Sequence, residues 1–228
     1  MKQGQAGMAL ITVLLVMGLA LLLTAAMLRE QRLMVRSSAL QLHTLQLRQW
    51  VISAEGWAKA QLPRQPGPVA SGQQWALTQP PWRAPGGLVE VAIEDLAGRV
   101  NTPSQGPSLS DRHNPQVSHL PRHVGLNINT ASLDSMLASG LAPEVARRLI
   151  AERPRGGYSS VKAAFNGQVP TAPALSVTSR WFQVRVRATL GDHGLLLVSD
   201  FELARNGREP LLRQRRLLPI SGAGGYWP

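Results

Sequence analysis

The chain has 228 residues, enough for one globular domain beside a membrane anchor, or for two small domains. Hydrophobic residues make up 44%, sufficient for a packed core, while the absence of cysteine excludes disulfides, thiolate metal sites and thiol nucleophiles. With 24 Lys+Arg against 13 Asp+Glu the formal net charge is +11, and nearly all the cations are arginine; this balance favours anionic partners, whether nucleic acid, lipid headgroups or acidic protein faces.

Residues Met8 to Leu28 carry no charged side chain. A helix of roughly 20 apolar residues crosses a bilayer core, and the run is longer than the hydrophobic region of an ordinary signal peptide. No small-residue cleavage site follows; Arg29, Glu30 and Arg32 follow instead, and the helical pattern continues. Residues 1–7 are polar and end in Gly7, directly before Met8. This arrangement resembles the prepilin leader of type IV pilins and type II pseudopilins, in which a prepilin peptidase cuts after the glycine and methylates the new amine. The resemblance implies cleavage between Gly7 and Met8 and N-methylation of Met8. Most of that family carry Glu at the fifth mature position, where it is thought to neutralise the amine of a neighbouring subunit; here the position is Thr12. A carboxylate inside the bilayer is costly unless paired, and a subunit placed first in a filament has no predecessor to pair with. K-type pseudopilins are the members that lack this Glu. Charge alone points the other way on orientation. Arg29, Arg32 and Arg36 follow the span and Lys2 precedes it, so the positive-inside rule would leave the C-terminal part in the cytoplasm. The resemblance implies a single pass through the bacterial inner membrane with the C-terminal head in the periplasm.

Residues 29–62 continue the helix as an amphipathic spine. Leu47, Trp50, Val51, Ala54, Trp57, Ala58 and Leu62 recur at three-to-four spacing, while Gln49, Ser53, Glu55 and Lys59 fall largely off that face. Pro63 ends the pattern, and residues 63–125 read as the loop-rich part of the head, with Trp75 and Trp82 covering the core edge. Within it Val89, Val91 and Ile93 alternate with Glu90, Ala92 and Glu94, predicting a strand over 88–94. The strand runs into Asp95-Leu96-Ala97-Gly98-Arg99-Val100-Asn101, which resembles a K-type signature of Asp-x-x-Gly-Arg/Lys-hydrophobic-Asn, with Gly98 serving a tight turn. His113, His119 and His123 sit beside Asp111 in a Pro-rich stretch and read as solvated residues rather than metal ligands.

Residues 126–167 predict a helical insert. Thr130 suits the N-cap of a helix over 131–138 that stops near Gly140. Pro143 and Glu144 suit the first turn of a second helix, with Ala146, Leu149 and Ile150 as its inner face. Gly156 and Gly157 break it, and Ser159 or Ser160 caps a short third helix. The unit is similar to a SAM-like or helix-hairpin-helix lobe. Its opening Leu126-Asn127-Ile128-Asn129-Thr130-Ala131 matches the phrase with which K-type pseudopilins open the lobe inserted in their sheet. Helix-hairpin-helix proteins that bind DNA use a Gly-hydrophobic-Gly hairpin against a phosphate; here it reads Gly140-Leu141-Ala142, without the second glycine. Residues 168–221 predict antiparallel strands: Phe182 to Ala188 in alternation, a turn at 191–194, Leu195 to Leu203, a turn at Asn206-Gly207, and Leu211 to Leu218. Residues 222–228, including Trp227, read as a flexible tail.

Together these features imply an α+β fold in which a long pilin-like N-terminal helix packs on an antiparallel sheet carrying an inserted helical subdomain. They resemble a K-type (GspK-like) minor pseudopilin of type II secretion, with the helical region shorter than is usual in that family. The role so implied is at the pseudopilus tip, initiating assembly and assisting export across the outer membrane. The implied partners are the I- and J-type minor pseudopilins, the inner-membrane secretion platform and the prepilin peptidase. No nucleotide-phosphate loop, H-E-x-x-H pair or Gly-x-Ser-x-Gly elbow occurs, so neither an enzyme nor a catalytic residue is expected. The resemblance also raises calcium, which needs clustered carboxylate and carbonyl oxygens; no ligands are identifiable, and no cofactor is expected. The alternative is a membrane-anchored, competence-type DNA-binding protein, supported by the helix-hairpin-helix pattern and the net charge.

Overall fold

The computed structural model describes residues 4–64, 67–76, 81–101, 117–121, 124–168, 174–204 and 207–221. Helix α1 runs Gly4–Gln61. Leu, Ala and Met dominate its first half, all strong helix formers, and it ends where Pro63 disfavours helical geometry in the residue before it. The chain divides into two units, the first reaching Gln46 and the second running from Leu47 onward. In the first, the large apolar side chains from Leu10 to Leu28 are at least half exposed.

In the second unit the last four turns of α1 carry a buried face. Leu47, Val51, Ala54, Ala58 and Leu62 all lie within the main core, at the i, i+4, i+7 spacing of one helix side. Ala54 and Ala58 are small, so the helix approaches the sheet closely. That sheet has five antiparallel strands, β1 Trp82–Ala84, β2 Gly87–Asp95, β3 Trp181–Leu190, β4 His193–Glu202 and β5 Leu211–Ser221, in the order β5-β4-β3-β2-β1. In register, Val91 faces Val186, which faces Leu197, which faces Leu217. These residues share the face turned to α1, with Val89, Phe182, Val184, Leu195 and Phe201 completing it. Trp75 meets Phe182 edge-on, with ring centres 5.1 Å apart, and Trp57 meets Trp82 at 5.0 Å. Gly87 admits Trp50: a Cβ there would stand 2.6 Å from the indole ring and 2.2 Å from the Thr189 carbonyl oxygen.

The opposite sheet face is ionic. Glu90 pairs in register with Arg187, and Arg185 donates to Glu94 at 2.6 Å. Gln183 donates to Asp200 at 2.8 Å. Cross-strand pairs of this kind tie neighbouring strands together.

The structure departs from the sequence expectations in several places. Glu55, assigned off the packing face, is only 3% exposed. Its carboxylate accepts hydrogen bonds from the Ser199 hydroxyl and the Arg215 guanidinium on the sheet. The segment assigned to loop before residue 88 contains β1, a three-residue edge strand paired with β2 through a turn at Pro85-Gly86. Its Pro/Gly-rich flanks conceal it, and three residues are too few to show alternation. Asn206, part of an expected turn, and the tail 222–228 lie outside the described residues, as do His113, His123 and Asp111.

The helical lobe follows the extended pair Leu126–Asn127, which runs parallel to Leu175–Ser176. Helices α2 Leu133–Ala138, α3 Pro143–Ala151 and α4 Val161–Ala164 surround their own core of Ile128, Met136, Leu141, Ala146 and Leu149. Ser132, rather than Thr130, caps α2 by accepting from the Ser135 amide. Pro143 begins α3. Ile150 is 36% exposed and does not join the inner face; Val145 packs there instead. Ser160 caps α4.

Candidate functional site: the anchor span and the clasp between sheet and lobe

The first element to carry function is the apolar half of α1. It is the one helix among the described residues long and apolar enough to cross a membrane, and its apolar stretch is not buried. Unburied apolar surface on this scale needs a non-aqueous environment. Gly7 and Met8 lie on the helical backbone of α1, and Thr12 is exposed on it one turn further along.

The second is a polar junction inside the head, built on Asp95. This residue ends β2 and is only 3% exposed. Its Oδ1 accepts from the Ala97 amide at 2.9 Å, which closes the turn Leu96–Gly98. Its Oδ2 accepts from Asn127 Nδ2 and from the Thr130 hydroxyl, both at 2.7 Å. Asn127 also donates to the Val69 carbonyl at 3.1 Å. Gly98 permits the approach, since a Cβ there would meet Thr130 Oγ1 at 2.7 Å. Burial pushes the Asp95 carboxyl above its ordinary value, against the hydrogen bonds from Ser179, Thr130, Asn127 and the Ala97 amide that favour the ionised form.

Asn129 extends the junction into the lobe. Its Oδ1 accepts from the Tyr158 amide at 2.7 Å and its Nδ2 donates to the Tyr158 carbonyl at 3.0 Å. Gly157 has a φ of +79°, and a Cβ on it would stand 2.7 Å from the Asn129 side chain. Tyr158 in turn donates its hydroxyl to the Leu149 carbonyl at 3.0 Å, and Arg153 donates to the Ala131 carbonyl at 2.8 Å. The other end of the strand-to-turn signature is fixed as firmly. Arg99 donates Nε to Glu94 at 2.7 Å, and Asn101 Oδ1 accepts from the Leu120 amide at 2.8 Å.

Of the motif residues singled out in the lobe, Asn127, Asn129 and Thr130 therefore converge on one clasp, and Leu126 lies in the lobe core. Gly140 stands apart from them. Its φ is +95°, it follows the last turn of α2, and nothing lies within 4 Å of where its Cβ would be. Sequence reasoning missed Asp95 as the centre of the clasp, although the Asp-x-x-Gly-Arg pattern marked its position. The Asp95, Asn127, Asn129 and Thr130 side chains are all engaged by other parts of the head, so the chemistry of the clasp is architectural. It holds the lobe against the end of the sheet.

Among the described residues no group of three or more His or acidic side chains is placed to hold a metal ion. His119 is exposed.

The lobe and its side of the clasp, Asn127, Asn129 and Thr130, fall inside the stretch with a family counterpart. The family model for type II secretion system (T2SS) protein K matches residues 126–185. A relative from Pseudomonas aeruginosa, type II secretion system protein K, is 27% identical over 328 residues, covering 99% of this chain and 98% of its own length. In sequence, the chain is similar to the K-type pseudopilins of type II secretion. In the fold comparison, a chain of the GspK-GspI-GspJ complex of enterotoxigenic Escherichia coli superposes with a TM-score of 0.57 at 15% identity, covering 78% of this chain and 97% of that one. The match extends to the mixed α+β architecture of a long N-terminal helix with an antiparallel sheet. The aligned span of 328 residues is longer than the 228 of this chain, so the relative carries segments without a counterpart here. K-type pseudopilins are parts of a secretion machine, and this similarity does not favour the DNA-binding alternative. The hairpin agrees: Ala142, in place of the second glycine, has a φ of −61°, open to any residue, and leads into Pro143 of α3.

Proposed function

We propose that this chain is the tip subunit of a type II secretion pseudopilus, anchored by a single span in the bacterial inner membrane with its head in the periplasm. The observation that carries the reading is the combination of an uncharged span at 8–28 with neutral Thr12 where a stacking subunit would carry Glu. A carboxylate at that depth is tolerated when a neighbouring amine neutralises it. A subunit with no predecessor needs none, and this one has none at that position. The bulky lobe on the head supports the same placement, because it hinders insertion beneath other heads. The prepilin peptidase cuts between Gly7 and Met8 and methylates Met8. The mature spine then packs with those of the I- and J-type minor pseudopilins, initiates the filament on the inner-membrane platform, and the tip assists export across the outer membrane. The machinery of this function is packing; no catalytic step, metal or cofactor is assigned to the chain.

The test is the N-terminus of the protein isolated from its host. Mass spectrometry should find N-methylated Met8 as the first residue, and Gly7→Val should leave residues 1–7 attached. A protein still beginning at Met1 would overturn the reading. Pull-down of I- and J-type subunits by the full chain tests the placement, which fails if neither is retained at low salt.

A further inference from the structure

We infer that Arg29, Arg32 and Arg36 form a stripe that binds the phosphates of anionic lipid headgroups where α1 leaves the membrane. The inference rests on reading residues 8–28 as a membrane span. All three arginines are exposed on α1 and immediately follow the uncharged run. At 3.6 residues per turn they fall within an arc of about 60°, while Glu30 lies about 100° from Arg29 on the far side of that arc. No ion pair or hydrogen bond engages any of the three among the described residues. Together with Ala25, Leu28 and Leu33 they line a shallow groove of about 360 Å³ on the helix.

The depth suits a headgroup. The polar layer on each side of a bilayer is roughly 5–7 Å thick. From Leu28 to Arg32 the helix rises about 6 Å, and to Arg36 about 12 Å. Arg29 and Arg32 therefore lie in the headgroup layer, and Arg36 reaches back to its outer surface along a flexible stem. A guanidinium fork matches a phosphate bidentately, and the apolar floor of the groove suits the first methylenes of an acyl chain. Phosphate binding also accounts for a charge distribution that the positive-inside rule disfavours in the proposed orientation. An acidic sibling spine offers the same charge, but the stripe abuts the span directly and its floor is apolar, which favours lipid.

The test uses the full chain in phosphatidylcholine nanodiscs containing a minority of phosphatidylglycerol, with native mass spectrometry counting the lipids that remain bound on release. Wild type should retain phosphatidylglycerol in preference to phosphatidylcholine. Each Arg→Gln change should lower that preference about fivefold, and the Arg29→Gln/Arg32→Gln/Arg36→Gln chain should lose it while keeping its helix content by circular dichroism. Inorganic phosphate should not displace the lipid. Equal retention by the triple variant overturns the inference, as does displacement by inorganic phosphate alone. If the triple variant keeps phosphatidylglycerol but no longer co-purifies with sibling pseudopilins, the stripe serves a protein and the inference fails. A wild-type chain that does not enter the nanodisc refutes the span itself, whereas insertion without lipid preference refutes the stripe alone.

Discussion

Asp95 shows how one buried carboxylate can organise two substructures. Its oxygens accept from the Ala97 amide, Asn127 and Thr130, and removal from water still outweighs them, raising its pKa above the ordinary 3.8. A raised folded-state pKa means that the folded protein holds the proton more tightly than the unfolded chain. The stability that this residue contributes is complete below 3.8 and is lost as pH rises through its folded value. In denaturant titrations of the detergent-solubilised chain, wild type should lose stability relative to Asp95→Asn across that rise, because the amide does not titrate. Asp95→Asn should itself cost about 1–3 kcal/mol, since one carboxylate acceptor becomes a donor facing other donors. Glu55 shows the same principle on the helix. A carboxylate 3% exposed holds Ser199 and Arg215 of the sheet, so α1 is pinned by a polar contact as well as by its apolar face.

At the scale of elements, two of the left-handed glycines of the lobe, Gly140 and Gly157, make different demands. Gly140, φ +95°, ends α2 in open space, whereas Gly157, φ +79°, is pressed against Asn129 and Ala70. Gly140→Ala should therefore cost only the left-handed conformation, about 1–2 kcal/mol. Gly157→Ala adds a Cβ at 2.7 Å from the Asn129 side chain and 2.8 Å from that of Ala70, and should lose clearly more. Hydrogen exchange of the Tyr158 amide, which donates to Asn129, reads the difference: fast exchange in Gly157→Ala, near wild-type protection in Gly140→Ala. The caps of this lobe were legible as a class of residue. Ser132, two residues beyond the expected Thr130, took the position because the Thr130 hydroxyl is committed to Asp95. Ile150 was misassigned for a related reason. A nine-residue helix does not show by periodicity alone which border position its neighbours will cover.

At the scale of the molecule, the protein combines a membrane-compatible span with a head that has its own hydrophobic core. A charge near the middle of the span should separate the two. Leu19→Arg places a guanidinium at the bilayer centre at a cost of about 2.5–3.5 kcal/mol on insertion scales. The chain should shift from the membrane pellet toward the soluble or degraded fraction on cell fractionation. A head core made from residues 47 onward should keep native-like resistance to proteolysis in whatever soluble chain remains. Unchanged membrane retention would argue that residues 8–28 do not span.

Local pattern carried most of the architecture. An uncharged run, a period of three to four and a period of two specify backbone geometry within a few residues. The span, the spine face and four of the five sheet strands were therefore visible in the amino-acid order, and so was the approximate site of each lobe helix. Tertiary structure decided which polar groups meet, because those partners lie far apart along the chain. Asp95 and Asn127 are separated by 32 residues, and Glu55 and Ser199 by 144. No periodicity records such a pairing. It arises when packing removes both groups from water and leaves each as the available partner for the other.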